Sequence, residues 1–123
     1  MSKKKILIVE DEPLLRKNIV EILNTLKLWN VLDVSNANKA LEILEELQPD
    51  LIISDYKMPG INGLEFLGIV REHHQMKTTP FIFLTAKMDI ILDIDDDKSS
   101  ILYKPFSFKV LVQHINTVMQ NAV

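Results

Sequence analysis

LIISDYKMPG, residues 51–60, is an apolar run that ends on a carboxylate. Leu51, Ile52 and Ile53 read as a strand buried on both faces of a parallel sheet, bounded by Pro49-Asp50 before it and Pro59-Gly60 after it. In an open α/β sheet the carboxyl ends of the strands form the crevice where ligands bind, so Asp55 stands where a functional carboxylate is expected. Taken alone, Asp55 reads more readily as the opening of a turn with Met58-Pro59-Gly60. The other strand ends favour the functional reading.

Upstream, Lys5 to Val9 is strand-like and also ends on acids, Glu10, Asp11 and Glu12. Pro13 suits the first turn of a helix carrying Leu14, Leu15, Ile19, Ile22, Leu23 and Leu26 at helical spacing, with Asp11 or Glu12 as its cap. Val31 to Val34 reads as a second strand, and Ser35 or Asn36 opens a helix with Ala40, Leu41, Ile43, Leu44 and Leu47 on one face. Downstream of the central strand, a loop leads to a helix from about Leu64 to His74, and Phe81 to Leu84 forms a fourth strand ending at Thr85. Ile101 to Tyr103 is a fifth strand ending at Lys104-Pro105, and Ser107 caps a last helix with Val110, Leu111, Ile115 and Val118 inward. Strands alternating with helices predict one doubly wound α/β domain with a five-stranded parallel sheet and helices on both faces; for the flavodoxin-like strand order 2-1-3-4-5, the first and third strands are neighbours.

The 123 residues suffice for one domain with its own core, and the absence of cysteine excludes disulfides and thiol chemistry. The net charge of −3 argues against a nucleic-acid binder. The run Ile6 to Val9 is too short for a secretion signal, and no segment approaches the ~20 apolar residues of a membrane span. A soluble, cytoplasmic chain is expected, folded as a single domain over residues 1–123 with no output domain.

Glu10, Asp11, Asp55, Thr85 and Lys104 would all open onto one edge of the predicted sheet, with the first and third strands adjacent. Three carboxylates gathered there repel, each pair by roughly 4 kcal/mol at ~4 Å and an effective dielectric near 20, unless a positive charge sits among them. Mg²⁺ suits this set, since it takes oxygen ligands, keeps several waters and commonly uses one or two protein carboxylates. Asp11 and Asp55 would bind it, and Glu10 would hold a coordinated water. A carboxylate beside such an ion can attack phosphorus to give an aspartyl phosphate, while Lys104 and Thr85 offer an ammonium and a hydroxyl to the phosphoryl oxygens. Individually, Lys104 is more readily a solvated surface lysine and Thr85 a residue of high β propensity. Five such residues on matching strand ends favour the site.

The segments ILIVEDEP, LIISDYKMPGINGLEFL, PFIFLTAK and LYKPFS resemble the signature segments of response-regulator receiver domains, the phosphoacceptor modules of two-component signalling. The resemblance covers essentially the whole chain. It implies that Asp55 accepts a phosphoryl group from a histidine kinase or phosphotransfer protein, and that Glu10 and Asp11 hold Mg²⁺ with the backbone carbonyl of Lys57. It further implies that Thr85 and Lys104 contact the phosphoryl group, that Lys104-Pro105 is cis, and that the domain catalyses its own dephosphorylation, tuned by Lys57 and Lys87. A downstream protein, unidentified by the sequence, would read the switched surface.

Two features depart from the family pattern. Ile101 stands three residues before Lys104, where the family usually carries an aromatic switch, and Tyr103 lies immediately before Lys104. Between Thr85 and Lys104 the chain reads MDIILDIDDDKSS, whose Asp run predicts a shortened or partly melted fourth helix. A calcium loop is rejected there, because Lys98 and Lys104 stand where Gly and a bidentate Glu are needed. These departures motivate an alternative, a receiver-fold interaction module that works without phosphorylation. A phosphohydrolase of the haloacid dehalogenase type is disfavoured, since Lys57 occupies the place of its second Asp. His73 and His74 read as solvated surface, and Trp29 as a core cover.

Overall fold

Apolar runs of Ile, Leu, Val and Phe, punctuated by Pro and Gly, give the chain its alternation of strand and helix. The computed structural model describes residues 3–86 and 96–121. In order these form β1 (Lys4–Val9), α1 (Pro13–Leu26), β2 (Trp29–Val34), α2 (Ala37–Leu47), β3 (Leu51–Asp55), α3 (Gly63–Glu72), a 3₁₀ turn at His74–Met76, β4 (Phe81–Ala86), β5 (Ser99–Lys104) and α4 (Phe108–Asn121). The expectation of a shortened fourth helix after Thr85, and the role given to Lys87, lie outside the described residues.

The sheet is parallel throughout in the order β2-β1-β3-β4-β5, the doubly wound arrangement expected from the sequence. Alternation along the central strands sends side chains to two separate cores. Ile6, Ile8, Ile53, Ile82 and Leu84 pack with Ile19 and Leu23 of α1 and Leu111 and Ile115 of α4. Leu7, Val9, Ile52, Phe81 and Phe83 pack on the other face with Ala40 and Leu44 of α2 and Phe66 and Val70 of α3. Trp29 covers the first of these cores.

Helix ends follow from local chemistry, with one correction. Asn36 caps α2 by accepting from Lys39 N–H, and Asn62 with Glu65 makes a reciprocal capping box on α3. Ser107 Oγ accepts from Val110 N–H at the start of α4. At α1, however, Glu12 occupies the cap position without a side-chain cap bond. Its own N–H donates instead to Glu10 Oε2 at 3.1 Å, which directs the Glu10 carboxylate into the strand-end crevice.

The edge strands are longer than their apolar residues alone predict: β2 starts at Trp29 and β5 at Ser99. Ladder pairing with β1 and β4 recruits their polar residues. The third helix closes at Glu72, two residues short of the expected end, and His73 N–H bonds to Val70 O.

Candidate functional site

The pairing of β1 with β3 sets Val9 opposite Ser54, so the next residues, Glu10 and Asp55, emerge side by side at the carboxyl edge of the sheet. One carboxylate oxygen from each of Glu10, Asp11 and Asp55 lies within 4.8 Å of the others. Glu10 is fully buried and Asp55 is 6% exposed, whereas Asp11 is half-buried at the mouth. Lys104 reaches in from β5, its Nζ 3.2 Å from Glu10 Oε1 and 3.2 Å from Asp55 Oδ1. The structure therefore brings together four of the residues singled out from the sequence.

Burial, followed by the neighbouring Glu10 charge and hydrogen bonding with Glu10 and Asp11, pushes the Asp55 carboxyl up to about 8, against a lowering pull from Lys104. The Lys104 ammonium is held above its ordinary range: its own burial opposes this most strongly, but the charges of Asp55 and Glu10 and its hydrogen bonds to them together outweigh it. A buried carboxylate cluster that raises the affinity of one member for a proton, and has already drawn in a lysine, is a site in want of cationic charge. All three acids are oxygen donors, and Asp11 faces the opening where metal-bound waters have room, so the set fits Mg²⁺.

Backbone contacts fix these groups. Tyr56 N–H donates to Leu84 O at 2.9 Å, and Ser54 Oγ donates to the Asp55 carbonyl at 2.9 Å. Gly63 N–H donates to Tyr56 O at 2.7 Å, and a Cβ at Gly63 would lie 2.6 Å from Asp55 O. Only glycine lets α3 start this close to the Asp55 backbone. The Glu10 N–H donates to Val34 O at 3.2 Å, and its carbonyl accepts from Arg16 Nη1 at 2.8 Å.

Two other candidates stand nearby with different engagements. Thr85 is buried at the end of β4, but its hydroxyl donates to Ala86 O at 3.4 Å and not to the acids. Exposed Lys57 lines, with Asp11, Tyr56, Met58, Pro59 and Asn62, an open cleft of about 460 Å³ beside the acids. Ile101 packs against the α2/α3 core, and Tyr103 pairs in register with Thr85 and is 46% exposed. The Lys104-Pro105 bond is cis, as the resemblance implied. His114 accepts or donates a 2.7 Å hydrogen bond with Ser100 Oγ, and burial lowers its pKa.

Sequence reasoning missed Arg16 and Ser54. Arg16 left one signal, a cation in the first turn of α1, where the helix dipole disfavours positive charge. Ser54 left a weaker one, a hydroxyl inside an apolar strand.

A doubly wound parallel sheet with clustered acids at the end of its central strands and a lysine reaching them from the edge strand defines the class as an α/β domain with an acidic, cation-seeking site. The family model for the response regulator receiver domain matches residues 6–116, and the chain belongs to that family. It is 30% identical to the chemotaxis protein CheY of Pseudomonas aeruginosa, over 94% of this chain and 96% of that protein. It is 31% identical to the sensory transduction protein BceR of Halalkalibacterium halodurans, over 94% of this chain and 50% of that protein. The chain thus spans about half the length of several curated relatives it matches. Among solved structures, the chemotaxis response regulator CheY4 of Vibrio cholerae superposes with a TM-score of 0.85 at 27% identity, covering 95% of this chain and 99% of that one. The signal receiver domain of a histidine kinase from Syntrophus aciditrophicus gives a TM-score of 0.85 at 29% identity, covering 96% and 91%. Among the described residues, no helix is long and apolar enough to cross a membrane.

Proposed function

We propose that residues 1–123 act as a receiver whose phosphoacceptor is Asp55. The observation that supports this best is the convergence of Glu10, Asp11 and Asp55 from β1 and β3 on one point that Lys104 reaches from β5. An Asp55 carboxylate oxygen attacks the phosphorus of a phosphohistidine on a kinase or phosphotransfer protein. The new O–P bond forms as the P–N bond breaks, and the imidazole leaves with its nitrogen electron pair.

Little covalent help is needed in such a transfer, so the chain contributes position and charge. Glu10, Asp11 and Asp55, with the Lys57 backbone carbonyl, would hold Mg²⁺, Glu10 through a coordinated water. When bound, the ion neutralises phosphoryl oxygens and favours the ionised form of Asp55. Lys104 exchanges its contact with Glu10 for a phosphoryl oxygen. The Thr85 hydroxyl leaves the weak bond to Ala86 O for another, drawing the end of β4 inward. That movement next to Tyr103 on β5 is the change a downstream protein would read.

The test is incubation with acetyl phosphate and Mg²⁺ followed by mass measurement. The wild type is expected to gain one phosphoryl group, and Asp55→Asn or wild type in EDTA none. An unchanged wild-type mass overturns the proposal, and an accompanying lack of Mg²⁺ binding at millimolar concentration would favour an interaction module that signals without phosphate.

A further inference from the structure

We propose that Arg16 is a positioning residue for the acidic site, gripping the Glu10–Asp11 peptide from α1 with Asp33 as its brace. The proposal rests on the reading of Glu10, Asp11 and Asp55 as a magnesium site. Arg16 Nη1 donates to the Glu10 carbonyl at 2.8 Å, and Arg16 Nε pairs with Asp33 Oδ2 at 3.2 Å. The carbonyl of Glu10 and the N–H of Asp11 belong to one rigid plane, so fixing that oxygen fixes where the Asp11 backbone begins. The preceding N–H of Glu10 is tied to Val34 O, on the same strand as Asp33. Both ends of the Glu10 residue are thus anchored to β2, one directly and one through the guanidinium.

The position of Arg16 is otherwise hard to account for. It lies in the first turn of α1, where the helix dipole disfavours a cation, and its side chain is 22% exposed against 40% for Asp33. An ion pair this open contributes little on its own. The planar fork of arginine is what serves two acceptors in fixed directions; a lysine ammonium would lack that geometry. Groups that orient metal ligands commonly affect metal affinity by 10–100-fold without touching the ion.

The experiment titrates Mg²⁺ alone, without phosphodonor, into wild type, Arg16→Gln, Arg16→Ala and Arg71→Gln, with thermal unfolding in EDTA measured in parallel. Gln keeps much of the aliphatic stem but stops short of the Glu10 carbonyl. Arg71 pairs with Asp96 in another arginine–aspartate bridge, joining α3 to the turn before β5, so it reports general loosening. Both Arg16 variants are expected to weaken Mg²⁺ binding about tenfold or more, and Arg71→Gln less than twofold. Wild-type affinity in either folded Arg16 variant overturns the proposal, as does an equal loss in Arg71→Gln. Absence of binding in the wild type would overturn the magnesium reading itself, which separates the two failures.

Discussion

Without a cation other than Lys104, Asp55 should make the protein less stable as the pH rises. Its carboxyl moves from an ordinary 3.8 to about 8, chiefly through burial and then through Glu10. A group whose folded-state pKa lies above its unfolded value supplies stability that is complete below the unfolded pKa and is lost as pH rises through the folded one. About four pH units at about 1.36 kcal/mol each amount to on the order of 5 kcal/mol, a large share of the ~5–15 kcal/mol that holds a domain together. Lys104 is raised above 10.5, so its contribution is constant across this window. His114, lowered from 6.5 by burial, is common to wild type and variant and cancels in their difference. Denaturant unfolding of wild type and Asp55→Asn in EDTA between pH 5 and 9 is the assay. The advantage of the Asn variant is expected to grow with pH, by at most ~1.4 kcal/mol per unit, and to level off above about pH 8. A difference that stays flat across the range would refute the argument that burial and Glu10 hold the proton on Asp55.

Two further outcomes follow from contacts at the same edge. Gly63→Ala places a Cβ 2.6 Å from Asp55 O and 2.9 Å from Tyr56 Cα, both backbone atoms that cannot yield cheaply, so a loss of about 1–3 kcal/mol is expected in thermal unfolding, with weaker Mg²⁺ binding. Lys104→Met leaves Glu10 and Asp55 without their shared partner; unfolding at pH 8 in EDTA should show a loss of about 3–5 kcal/mol, largely recovered on adding Mg²⁺.

The strand ends that build the site could be read from the sequence because β1, β3 and β4 are bounded apolar runs, and a polar residue that closes such a run is conspicuous. The margins of the sheet could not be read so well. Ser99 and Ser100 of β5 and Asn30 of β2 are in strand because neighbouring strands pair with them, which is a tertiary effect without local periodicity. Strand alternation puts Ile101 and Tyr103 on one face, in register with Phe83 and Thr85, but the 46% exposure of Tyr103 depends on packing. Glu12 looked like a cap from its type and position. Its N–H serves the Glu10 carboxylate instead, a choice made by the electrostatics of the assembled edge. Arg16 was missed because its partners, a backbone oxygen and an acid on another strand, have no sequence signature.

Lys104 belongs to β5, an edge strand of the sheet, yet its ammonium sits between acids at the ends of β1 and β3. One flexible side chain thus works as a tether, strung across β4 from the rim to the middle. A more negative Asp55 pulls harder on that ammonium and a neutral one pulls less, so the electrostatics of the edge strand are coupled to the acids at the middle of the sheet.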